Sequence, residues 1–238
     1  ANREFIVSFT PKDGATGIDP SSNISIAFNS PARFIDGSTI TDLSVDGLIR
    51  LHDRDLNGIP IIFDATINLD KTIFTVDPQI TFTSNQLVYV EVSTDIADTL
   101  GKKLNPQVTN TSATFRAADK NPPTLSFSPL DLSTDVSISR NLILTFDEPI
   151  RKLDDSDLTN ENINSIVVLR ENSVNGTDLA FNATINTTKT KITIDPDSLF
   201  NFEQTYYYGM ASVIEDSSNN PLPITGATFK SELRPGFT

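Results

Sequence analysis

The stretch FDATINLDKTIFTVDP occupies residues 63–78, and FNATINTTKTKITIDP occupies residues 181–196. Ten of the sixteen positions are identical at an offset of 118 residues. Outward from this pair, the same offset sets Phe9 on Phe127, Pro11 on Pro129, Asn23 on Asn141, Phe28 on Phe146 and Pro31 on Pro149. Further along, Asn57-Gly58 falls on Asn175-Gly176 and Asp98 on Asp216. The register runs without a gap from Phe9 to Leu104, and only after Leu104 and Leu222 does the second copy drop four residues before ATFRA matches ATFKS. A period this long is a whole domain rather than a solenoid unit, so the chain is a tandem duplication.

The periodicity inside each copy is that of strands. In NISIAF, Ile24, Ile26 and Phe28 alternate with Ser25 and Ala27, as on a half-buried strand, and Leu142, Leu144 and Phe146 repeat the pattern. VYVEV puts Val88, Val90 and Val92 on one face, with Tyr206, Tyr208 and Met210 at the matching positions. IRLHD and IPIIFDATI flank Asn57-Gly58, which reads as a two-residue hairpin turn because Asn and Gly tolerate positive φ. Short strands with regularly spaced turns predict an all-β sandwich. The one candidate for helix, RKLDDSDLTNENI, is expected to give a single turn at most.

The seam reads RAADKNPPTLSF. Pro122 and Pro123 favour extended backbone, so a short and fairly stiff linker is expected, with domains at 1–118 and 119–238. At 238 residues, two domains each have room for a core. Apolar residues are 37% of the chain, below the usual globular figure, which predicts small folded units with a large polar surface. Residues 1–118 hold 9 basic and 14 acidic groups and residues 119–238 hold 9 and 17, so the halves carry −5 and −8 of the net −13. Nucleic acid is therefore not an expected partner, since no Lys/Arg cluster is present to neutralise phosphates. No apolar run approaches the ~18–20 residues of a membrane span, so direct insertion is not expected. ANREFIVSFTP lacks an h-region, and any signal peptide is expected upstream of it. Cysteine is absent, which excludes a disulfide framework, thiolate zinc ligands and a thiol nucleophile.

SFTPKDGATGIDPSSNISIAFNSPA resembles the opening of the bacterial Ig-like domains found in surface-layer proteins, large adhesins and other cell-surface proteins. LSFSPLDLSTDVSISRNLILTFDEPI follows the same plan. Late in each copy that family shows an Asp, a Gly-Asn turn and Pro-Leu. IEDSSNNPL keeps this with Asn219 in place of Gly, whereas IADTLGKKL keeps Asp98 and Gly101 but not Asn and Pro. The resemblance implies two tandem Ig-like antiparallel β-sandwiches, seven-stranded or similar, without the antibody disulfide, in an extracellular or cell-surface setting. It brings no catalytic residues with it, and fold alone does not give function.

Candidate sites are few. DRDLNG at residues 53–58 offers Asp53, Asp55 and Asn57 at calcium-loop spacing, with Gly58 sixth and Asp64 twelfth. Such a loop needs flanking helices, and strands flank this one; Glu171, Ser173, Asn175 and Gly176 keep the turn but not the carboxylates. A solvated hairpin tip is the favoured reading. The densest acidic run, FDEPIRKLDDSDLTNEN, holds Asp147, Glu148, Asp154, Asp155 and Asp157. In an Ig-type sandwich it shares an end with the loop carrying Glu215 and Asp216, and that end faces the linker and Asp119. Asp119, Asp147, Glu148, Glu215 and Asp216 are thus the candidate ligands for calcium, a hard cation that takes several oxygens. Ordinary turn chemistry, with Asp capping local amides, competes with that reading. His52, the single histidine, alternates with Leu51 on a strand and matches Arg170, so a catalytic triad is not expected, nor is an enzyme. Adjacent carboxylates such as Asp147 and Glu148 point apart on a strand end, unlike a glycosidase pair. Five Asn-X-Ser/Thr sequons, at Asn23, Asn110, Asn175, Asn182 and Asn186, are assigned no role. The leading expectation is a structural spacer whose partners are other domains of a larger protein. The alternative is an adhesive module whose end loops bind a surface glycan or protein. Trp is absent and Tyr206 and Tyr208 are expected in the core, which favours the spacer.

Overall fold

The computed structural model describes residues 3–236. The chain forms two compact units that divide between Lys120 and Asn121. In the first unit, β1 (Val7–Thr10), β2 (Ala15–Ile18), β3 (Ile24–Phe28) and β4 (Ala32–Phe34) come first. They are followed by β5 (Ile49–Asp53), β6 (Phe63–Ile67), β7 (Ile73–Pro78), β8 (Leu87–Val92), β9 (Ile96–Asp98) and β10 (Ser112–Ala117). Two four-stranded sheets result, ordered β1-β3-β7-β6 and β2-β10-β8-β5, with β4 and β9 pairing separately. Every pairing is antiparallel except β2 with β10.

The second unit repeats this plan. Its strands open with β11 (Leu125–Ser128), β12 (Ser133–Val136), β13 (Leu142–Phe146), β14 (Arg151–Lys152) and β15 (Val167–Glu171). Then come β16 (Phe181–Ile185), β17 (Lys191–Pro196), β18 (Thr205–Met210), β19 (Ile214–Glu215), β20 (Pro221–Leu222) and β21 (Gly226–Ser231). The sheets are β11-β13-β17-β16 and β12-β21-β18-β15, with a small β14-β19-β20 sheet at one end. β3, β5, β6, β7 and β8 reappear 118 residues later as β13, β15, β16, β17 and β18, whereas β10 reappears as β21 after 114. The four-residue deletion therefore falls in a loop between strands, where length changes cost little. Each sandwich has eight principal strands rather than seven, because the first strand is interrupted. β1 lies in one sheet, β2 in the other, and the cis Thr10–Pro11 bond sits between them, as cis Ser128–Pro129 does in the second copy.

Alternation dictates what is buried. Ile24, Ile26 and Phe28 point inward, as do Val88, Val90 and Val92, and each is buried. Phe28 stacks on Phe5 at 5.4 Å and meets Phe74 edge-on at 4.9 Å. In the second core the larger residues at the positions of those valines, Tyr206, Tyr208 and Met210, pack with Phe200 and Phe229. A buried phenol needs a partner for its hydroxyl. Tyr208 donates to the Pro129 carbonyl and the Tyr206 hydroxyl accepts the Asn201 amide at 2.8 Å. Burial pushes the Tyr208 pKa well above the usual range for tyrosine.

The repeated stretch is a hairpin, and its shared residues have defined tasks. Asn68 Oδ1 accepts the Thr72 and Ile73 amides at 2.8 and 3.0 Å, and Asn186 does the same for Thr190 and Lys191 at 2.9 and 3.0 Å. Lys71 and Lys189 both take left-handed backbone, at φ 56° and 57°. The alternating Ala65 and Ile67, like Ala183 and Ile185, enter the cores.

The chain reverses at Asn57-Gly58 as expected, with the Asp53 amide on the Ile59 carbonyl and the Ile61 amide on the Leu51 carbonyl at 2.9 Å each, but the expected hairpin between IRLHD and FDATI is corrected. β5 pairs with β8 and β6 with β7, so IRLHD and FDATI belong to different sheets. The chain bridges back only at His52–Pro60, and at Arg170–Asp178 in the second copy, before it crosses over. The left-handed residues there are Arg54 and Asn172, not Asn57 and Gly58 or their counterparts. Glycine is needed for close approach instead: a Cβ on Gly58 would lie 1.5 Å from the Asp53 carbonyl oxygen, and one on Gly176 would lie 1.6 Å from that of Glu171. The expected helical turn is a 3-10 turn at Ile163–Ser165, matched by one at Asp46–Leu48.

Candidate functional site

The candidate ligands have different local partners. Asp216 is fully buried in the turn between β19 and β20. Its Oδ1 accepts the Ser218 and Asn220 amides at 2.7 and 2.8 Å, and Oδ2 accepts Asn220 Nδ2 at 2.8 Å. Asp98 holds the equivalent turn through the Leu100 and Lys102 amides at 2.9 and 2.8 Å. The left-handed residue in each turn is Gly101 (φ 81°) or Asn219 (φ 66°), so Gly gives way to Asn, one of the side chains that enter that conformation most readily. The late Asp of each copy therefore organises backbone.

Glu215, also buried, forms an ion pair with Arg151, Nε to Oε1 at 3.1 Å. The same guanidinium reaches Asp155 at 2.6 Å and Asn219 Oδ1 at 2.7 Å. A guanidinium fork suits several oxygens at once. Arg151 is a site residue that no sequence motif singles out, although it matches Arg33 at the 118-residue offset; Arg33 donates to the Asp98 carbonyl at 2.9 Å. Asp147 accepts the Thr124 amide at 2.7 Å, tying the start of the second unit to the end of β13. Burial raises its pKa, but the hydrogen bonds from Thr124 outweigh that and hold it below the usual carboxylate value. Asp119, by packing a residue of the first unit, accepts a hydrogen bond from Ser84 Oγ at 2.6 Å. Glu148 and Asp216 are the pair brought together in the second unit, each offering a carboxylate oxygen within 4.8 Å of the other. Asp154 accepts from the Ser156 amide at 3.1 Å. The acidic run is thus largely engaged in turns and in the Arg151 pair.

The other sequence candidates are local structure. Asp55 accepts the Asn57 amide at 2.8 Å, Asp53 pairs with Arg54 at 3.5 Å, and His52 Nδ1 bonds the Leu56 carbonyl oxygen at 2.7 Å. The Asp-Gly-Ala-Thr opening also decodes as structure. Asp13 accepts the amide and hydroxyl of Thr114 at 2.8 and 3.0 Å, and Asp131 those of Thr228 at 2.7 and 3.1 Å. Led by the bond from the threonine amide, these contacts hold both carboxyls below their usual pKa. A shallow polar cleft of about 380 Å³ lies beside β5 and β8, between Gly47, Arg50, Glu91 and Asp95. Arg50 and Glu91 face each other there at 3.5 Å.

Two four-stranded sheets face to face, with the first strand shared between them and crossed β5 and β6, define each unit as an Ig-like β-sandwich. The sequence profile of the bacterial Ig-like domain matches residues 3–117 and again residues 119–231. The chain belongs to that family, as two tandem copies. No curated protein matches it in sequence. Solved structures similar to it include CopC from Methylosinus trichosporium OB3b, at 11% identity over 49% of this chain and 99% of that one, TM-score 0.33. Domains 1–6 of the surface layer protein SbsC align at 12% identity over 97% of this chain and 26% of that one, TM-score 0.34. The BSP domain of a biofilm associated protein aligns at 12% identity over 94% and 30%, TM-score 0.28. The chain thus spans about a quarter of the surface-layer structure's length.

Proposed function

We propose that this chain is a non-catalytic structural spacer within a larger extracellular or cell-surface protein, and that its partners are other domains of that protein. The observation that carries this reading is how the residues common to both copies are used. Asp13 and Asp131 tie the opening segment to the last strand, while Asn68 and Asn186, and Asp98 and Asp216, fix backbone turns of the sandwich. What was kept through duplication is therefore the means of building the same domain twice. The family's occurrence in cell-surface proteins supports the location. Each half, bounded near residues 118–121, is proposed to fold by itself.

Calcium is proposed as a stabilising ion of the second domain, with Glu148 and Asp216 supplying the core of its ligands, and Asp147 and Glu215 lending negative charge from positions already hydrogen-bonded. An ion at a hundred times its dissociation constant stabilises the fold that binds it by about 2.7 kcal/mol. Melting in EDTA and in millimolar calcium tests this, and equal midpoints would remove calcium from the reading. The spacer role is tested on arrays of immobilised glycans and surface proteins, over which the purified chain is expected to pass without retention. Micromolar binding to any of them would overturn the spacer in favour of an adhesive module.

A further inference from the structure

Strands β6 and β16 stand at the outer edges of their sheets, where alternate amides face away from the neighbouring strand. In the first domain two of those amides, at Ala65 and Ile67, are closed from outside by side chains of one loop. Asp46 Oδ1 accepts the Ala65 amide at 2.9 Å, and Asp42 Oδ1 accepts the Ile67 amide at 2.8 Å. The second domain repeats the arrangement with different chemistry, as Asn164 Oδ1 takes the Ala183 amide at 2.7 Å and Asn160 Oδ1 the Ile185 amide at 2.9 Å. The four acceptors keep the 118-residue register and the spacing of four. A carboxylate and a carboxamide share only the acceptor oxygen, so that oxygen is the property preserved.

These edges carry a particular hazard. FDATI and FNATI differ at one position, so a second copy of this chain presents a matching strand at either edge. Thr66 and Thr184 alternate with the inward Ala and Ile, leaving an edge strand rich in β-formers and free of proline. We propose that the loops at residues 41–48 and 159–166 are edge guards, whose side-chain oxygens occupy the donors of β6 and β16 and so prevent edge-to-edge pairing with a second copy of this chain. An acceptor side chain satisfies the amide without offering the continuous ladder that a backbone strand would extend.

The full chain carrying D42A/D46A, the single variants D42A and D46A, and N160A/N164A test the proposal. Hydrogen exchange by NMR reads the four amides, and light scattering after size exclusion reads the oligomeric state up to millimolar concentration. Exchange at Ala65 and Ile67 is expected to quicken by roughly tenfold or more as each bond is lost, with concentration-dependent dimers. D42N/D46N, which installs the second domain's own chemistry, should restore slow exchange and the monomer. D36A removes a carboxylate that caps its own turn through Ser38, and should leave both readouts unchanged. If the double variant fails to fold, the single variants are read by the same criteria. Unchanged exchange at the guarded amides would overturn the proposal, as would faster exchange in a chain that stays monomeric.

Discussion

Removing the Asp216 carboxylate should destabilise the second domain whether or not an ion is present. Three hydrogen bonds end on it, from the Ser218 amide, the Asn220 amide and the Asn220 side chain, at 2.7, 2.8 and 2.8 Å. A hydrogen bond to a charged acceptor contributes about 1.5–3 kcal/mol, but a donor that regains water recovers part of this. Ser218 is exposed and Asn220 half-buried, so all three donors belong to residues that water reaches. The expected loss for Asp216→Ala is therefore about 3 kcal/mol rather than the full sum. For a domain of this size it corresponds to a fall in melting temperature of ~12 °C. Asp216→Asn keeps one oxygen for the two amides and should lose about half as much. Asp98→Ala, with two amide bonds at stake, should cost the first domain ~2 kcal/mol. Calorimetry of the full chain in EDTA, with NMR to assign each transition, gives the result directly. Calcium then separates the two tasks of Asp216, since Asp216→Asn should abolish any calcium-induced shift while retaining most of the stability. A fall of less than ~3 °C for Asp216→Ala in EDTA would mean the turn holds without its carboxylate, and the structural reading of the late Asp would fail.

Phe28→Ala and Phe146→Ala should each cost about 3–5 kcal/mol and unfold or nearly unfold its own domain while leaving the other's transition in place, as followed by resolved NMR signals. Stability should fall on acidification through Asp13 and Asp131. Their folded pKa values lie below the unfolded ones, so the gain is present above the unfolded value of about 3.9 and is lost as pH drops through the lower folded values. Melts between pH 6 and 2 should therefore flatten in the Asp13→Asn/Asp131→Asn chain, and an unchanged acid limb would refute this. Residues 1–118 and 120–238, expressed separately, should each give a β-type circular dichroism spectrum and a cooperative melt, and a half that fails to fold would refute its independence.

Sequence alone determined the duplication, the strands and much of the core. Period-two alternation at Ile24-Ile26-Phe28 and Val88-Val90-Val92 is a local property, because adjacent side chains of a strand must face opposite ways. The 118-residue register needed only comparison of the chain with itself. Tertiary structure decided what the local signals left open. Asn57-Gly58 reads locally as a hairpin, yet the partners of β5 and β6 lie in different sheets, a choice made by pairing with β8 and β7 far along the chain. Asp216 and Glu215 are adjacent in sequence, but one turns inward onto its own loop and the other meets Arg151 from another strand. The guards Asp42, Asp46, Asn160 and Asn164 were invisible for the same reason. Their partners lie 19 and 25 residues away, and a hydrogen bond across that distance has no periodicity to betray it.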